Sequence, residues 1–75
     1  MKQTLVESPT LELYKHWLSQ QPYISMYYRI TSEVALNDYH GEVIVLNGGS
    51  LDPYIRSKVR RLEVAGQLTV SRRTV

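Results

Sequence analysis

The sequence predicts a small α+β domain, three helices with a small β-sheet, on three observations. A capping residue precedes proline at Ser8-Pro9 and again at Asp52-Pro53, where the missing proline N–H costs nothing in a first helical turn. Apolar residues recur at helical spacing after each pair, whereas residues 23–30 and 67–70 alternate as strands do. With 75 residues and no cysteine, the chain makes one domain close to the smallest that holds a core without staples.

Residues 1–8 read as an N-terminal tail, and residues 9–75 as the domain. The first helix should start near Pro9, with Leu11, Tyr14, Trp17 and Leu18 on one face, Glu12, Lys15 and Ser19 off it, and Pro22 as its end. An aromatic pair on such a stripe belongs to a core rather than to a base-stacking platform. From Tyr23 to Ile30 the pattern changes: Ile24, Met26, Tyr28 and Ile30 point one way, Ser25, Tyr27 and Arg29 the other, which predicts a strand. Thr31 or Ser32 then caps a short second helix to about Tyr39, with Val34 and Ala35 inward and Gly41 as its stop. Glu42 to Leu46 holds Val-Ile-Val and predicts a buried strand; Asn47-Gly48-Gly49-Ser50 is a turn.

Asp52-Pro53 opens the best-defined helix, running to about Ala65 with Gly66 as its stop. Ile55, Val59 and Leu62 share its core-facing line; Ser57, Arg60, Arg61 and Val64 lie opposite, with Arg56 and Lys58 on the flanks. Gln67 to Val70 alternates as a strand and leads into Ser71-Arg72-Arg73-Thr74. Charge is divided along the chain. Residues 56–75 carry six basic groups (Arg56, Lys58, Arg60, Arg61, Arg72, Arg73) against Glu63, whereas residues 1–55 carry three basic and six acidic groups. That asymmetry points the C-terminal part at a polyanion.

The run from Ile55 to Leu68 resembles the recognition helix and first wing strand of winged helix-turn-helix regulators, with Ile55, Arg56, Val59, Leu62, Glu63, Gly66 and Leu68 falling on the superfamily pattern. Ile30-Thr31-Ser32-Glu33-Val34-Ala35 is similar to the capped start of its second helix. The resemblance implies a winged helix-turn-helix fold, three helices with a small antiparallel sheet. It also implies that helix 52–65 enters the major groove, with Tyr54, Ser57 and Lys58 toward base edges and Arg56, Arg60 and Arg61 shared between bases and backbone. Arg72 and Arg73 fall at the wing tip, on phosphates or the minor groove. Residues 41–51 stand as an insertion in that pattern, and the return strand of the wing is absent or very short. An unpaired wing strand invites residues 24–30, a second subunit or a partner chain, so a homodimer is expected.

Catalysis is not expected. His16 and His40 have no partners at metal-ligand spacing, no nucleophile-base-orienter set is visible, and Gly48-Gly49 lacks the lysine of a P-loop. No metal or cofactor is therefore expected. No segment has the apolar length of a membrane span and MKQTLVESPT lacks the core of a secretory signal, so the expectation is a soluble cytoplasmic protein. The function expected is a sequence-specific double-stranded DNA-binding regulator. The alternative is a protein-interaction module that docks on a larger nucleic-acid enzyme, which the six tyrosines would suit. An RNA-binding module lacks the paired aromatic-basic strands of single-strand readers.

Overall fold

The computed structural model describes residues 3–22 and 26–75. It contains strand β1 (Thr4–Glu7), helix α1 (Leu11–Leu18), strand β2 (Tyr27–Arg29), a 3-10 turn (Glu33–Leu36), strand β3 (Gly41–Leu46), helix α2 (Pro53–Val64) and strand β4 (Leu68–Arg73). The four strands form one sheet in the order β2-β1-β3-β4, and every neighbouring pair is parallel. This overturns the winged helix-turn-helix expectation, which requires three helices and an antiparallel sheet. The segment after each of the first three strands carries the chain back to the end where it started, so all four strands run the same way.

Thr4–Glu7, expected to be a tail, is an inner strand of that sheet, paired with β2 on one side and β3 on the other. Its two faces feed two cores. Leu5 joins Ile30, Leu36, Val43, Val45, Ile55, Val59 and Leu68 under α2 and the 3-10 turn, whereas Val6 joins Tyr14, Trp17, Ile44 and Leu46 under α1. The chain steps outward from β1 to β2, then reverses past β1 to β3 and on to β4. When the crossovers share one hand, that reversal must put α1 and α2 on opposite faces, as the two cores require.

Local chemistry places each boundary. The residue before a proline disfavours helix, so Ser8 stays outside α1, and its hydroxyl donates to the Thr10 carbonyl at 2.9 Å. Thr10, not Ser8, caps α1, accepting from the Leu13 N–H at 3.1 Å, and the helix ends at Leu18, short of Pro22. Trp17 meets Tyr27 edge-on with ring centroids 4.9 Å apart, and the Tyr14 hydroxyl donates to the Tyr27 carbonyl at 3.2 Å. The aromatic stripe is core, as its spacing predicts.

The expected strand over 23–30 is described only as Tyr27–Arg29; residues 23–25 of that expectation lie outside the described residues. Ser32 does cap the following element, but that element is a single 3-10 turn in which Leu36 is buried while Val34 and Ala35 face outward. Gly41 begins β3 instead of stopping a helix. The buried strand at 42–46, the turn at 47–50 and the α2 helix all form where the sequence predicts. Asp52 caps α2 by accepting from the Tyr54 N–H at 2.9 Å. Gly66, at φ +81°, closes it: its N–H reaches the Glu63 carbonyl at 3.0 Å and the Gln67 N–H reaches Leu62 at 2.9 Å. These are the two bonds of a Schellman cap. The strand it releases pairs with β3, and the described part of the 24–30 segment, Tyr27–Arg29, pairs with β1 instead.

Candidate functional site

Residues in register across a parallel sheet share a face, so the inner face beneath α2 can be read row by row. Leu5, Val43 and Val70 make an apolar row; the next row, at the carboxyl ends of the strands, is Glu7, Val45 and Arg72. The core stops there and a charged cleft begins. Its volume is about 440 Å³, and Glu7, Val45, Gly48, Pro53, Arg56, Ser57, Val59, Arg60 and Arg72 line it. On α2 the spacing Pro53, Arg56, Ser57, Arg60 is one stripe, adjacent to the buried Ile55 and Val59 line, and it aims two arginines across the cleft toward Arg72 on β4. The chain reverses direction between β1 and β3, and crevices outside the carboxyl ends of strands at such a reversal are where open parallel sheets take ligands.

Glu7 forms the floor. It is 2 % exposed, and its Oε2 accepts a 2.7 Å bond from the Ser50 N–H. The Asn47–Ser50 turn closes over the carboxylate so tightly that a Cβ on Gly49 would overlap it, and Gly49 also sits at φ +93°. Burial raises the Glu7 pKa, while the Ser50 N–H and the charges of Arg56 and Arg72 pull it back. A carboxyl group raised on folding contributes stability below its unfolded pKa and loses that contribution as pH rises through the folded value. Glu7→Gln keeps an oxygen for Ser50 and removes the buried charge. We expect it to raise Tm by a few degrees at about pH 7 and to leave it nearly unchanged at about pH 4. A fall in Tm at neutral pH, measured by calorimetry, would show that Glu7 is held there by attraction and not against its desolvation.

The structure divides the residues expected to bind nucleic acid. Arg56, Ser57, Arg60 and Arg72 meet at the cleft. Tyr54, Lys58 and Arg61 lie around the other flank of α2, where Tyr54 is 72 % exposed and the Lys58 ammonium bonds the Asn37 side-chain oxygen. Arg73 follows Arg72 on a strand, so it points from the opposite sheet face, in register with Leu46. Arg72 donates from both terminal guanidinium nitrogens to the Glu63 carboxylate, at 2.7 and 3.1 Å. That pair holds Glu63 below the usual carboxylate range. Among the described residues Arg56, Arg60, Arg61 and Arg73 make no ion pair.

Glu7, Val45 and Gly48 were not legible as site residues, because only the strand order brings Glu7 beside α2. Among the described residues no group of three metal-ligating side chains gathers, and no helix is long and apolar enough to cross a membrane. No protein-family model, curated protein or solved structure matches the chain, so the site stands on its own geometry.

Proposed function

We propose that the chain binds the phosphate backbone of nucleic acid, double-stranded DNA included, through the flank of α2 that faces β4. The supporting observation is the convergence of Arg56, Arg60 and Arg72 from two elements on one cleft at the carboxyl edge of the sheet. Arginine forks match phosphate oxygens in geometry and charge, and among the described residues Arg56 and Arg60 are in no ion pair that a ligand would have to break. Reading bases with a helix laid in the major groove rested on the winged fold and is not part of this proposal; phosphate contacts fix position but carry no sequence information.

Two or three such contacts predict that log K for a random duplex falls with log salt at a slope of about −2 to −3. Fluorescence anisotropy over a salt series measures it. Absence of binding at low salt, or an affinity indifferent to salt, overturns the proposal. A second reading, docking on a protein, draws on the exposed Leu51, Tyr54 and Val64 in and around α2, and absence of DNA binding at low salt is the outcome that favours it.

A further inference from the structure

The cleft differs from a surface that tracks a nucleic-acid chain in one respect: it has a closed end. Its floor is the Glu7 and Val45 row, 2 % and 6 % exposed, and the Asn47–Ser50 turn packs against that floor from the strand ends. An internal phosphodiester continues on both sides, so a chain seated in the cleft would need a way out at each end. A terminal phosphate needs only one. Charge and donor geometry lead to the same ligand. Arg56 and Arg60 stand one turn apart on one wall, Ser57 between them adds a hydroxyl, and Arg72 faces them from β4. Three forks around one site suit the three free oxygens and nearly two negative charges of a phosphomonoester better than the two oxygens and single charge of a diester. A cleft of about 440 Å³ is also in the range of sites for small molecules.

We infer that the α2–β4 cleft binds a phosphomonoester end-on, and, resting on the nucleic-acid reading above, that this is the terminal phosphate of a nucleic-acid strand. Glu63 is the group the ligand displaces, since it already occupies the Arg72 fork from the rim. Glu7 lies beneath the phosphate and sets the depth to which it enters.

The test uses one short oligonucleotide in 5′-phosphorylated, 3′-phosphorylated and unphosphorylated forms, single-stranded and duplex, with a free nucleoside 5′-monophosphate as competitor. One phosphorylated form is expected to bind at least about tenfold more tightly than the unphosphorylated one, as the loss of one charge-assisted contact implies. That preference should vanish in Arg60→Gln, an exposed position whose variant is checked for native circular dichroism, and should grow in Glu7→Gln. Equal, salt-dependent affinity for all forms overturns the end-on inference and leaves the backbone reading standing. Binding of the mononucleotide alone upholds the monoester site and overturns its assignment to nucleic acid. Binding of none of them overturns both.

Discussion

Neutralising Arg56 and Arg60 together, as Arg56→Gln with Arg60→Gln, is expected to weaken nucleic-acid binding more than a hundredfold. Each arginine–phosphate bond contributes about 1.5–3 kcal/mol, and each 1.4 kcal/mol or so is a factor of ten in affinity. The salt slope should become shallower by about 0.9 for each contact removed. Reversal to glutamate should abolish binding, but Arg56 is one of the charges that favours ionised Glu7, so Arg56→Glu would set a carboxylate near a buried one. The glutamine pair tests the site without that added strain. Arg61→Gln is the matching control. Arg61, like Arg60, is exposed, but it does not line the cleft, so its removal should change affinity only a few-fold. If Arg61→Gln proves as damaging as Arg56→Gln with Arg60→Gln, the contact surface is the outward face of α2 and the cleft has no special part in it.

That control separates two pictures that the sequence alone could not. A helical wheel reports that Arg56, Lys58, Arg60 and Arg61 avoid the apolar line, but not what each flank faces. The answer depends on which element packs alongside: β4 and the row ending in Arg72 on one flank, the 3-10 turn and Asn37 on the other. Arg72 and Arg73 show the same limit more sharply. They are neighbours in sequence and read as one basic tip, yet strand geometry sends them to opposite faces of the sheet.

The elements of the last third are legible in the sequence because their signals are local. Asp52 and Pro53 start α2 by capping chemistry, and Gly66 ends it by adopting a left-handed φ that other residues resist. The winged-helix resemblance was built from those same residues. Ile55, Val59, Leu62, Gly66 and Leu68 specify an amphipathic helix, a Schellman cap and a strand, and that unit serves a parallel crossover as well as a wing. Two signals spoke against the wing. Val43-Ile44-Val45-Leu46 is apolar without alternation, as befits a strand buried on both faces, and all four are buried. Predicted strands and helices also took turns along the chain, which favours parallel crossovers over hairpins. What remained hidden was β1. It is four residues long, only Leu5 and Val6 are strongly apolar, and its last residue is a glutamate, so nothing in its pattern distinguishes it from a polar terminus.

Deleting residues 1–8 is therefore expected to unfold the protein, and the reason is where β1 lies. A disordered tail could be removed at no cost. An inner strand takes with it the backbone ladders to β2 and β3 and divides the sheet, leaving β2 with no neighbour among the described strands. Leu5 and Val6 are 3 % and 0 % exposed, one in each core, and burying two such side chains contributes about 3–6 kcal/mol. The total stability of a domain this size is roughly 4–11 kcal/mol at 0.05–0.15 kcal/mol per residue. The truncated chain should be unfolded at every temperature, without the near-ultraviolet signal of the packed Trp17. Leu5→Ala provides a graded counterpart that stays measurable. A loss of about 2–5 kcal/mol should lower Tm by some 10 °C or more. A truncated chain that still melts cooperatively, with native near-ultraviolet ellipticity, would mean that β1 does not hold the two faces together, and the Glu7 floor of the cleft would go with it.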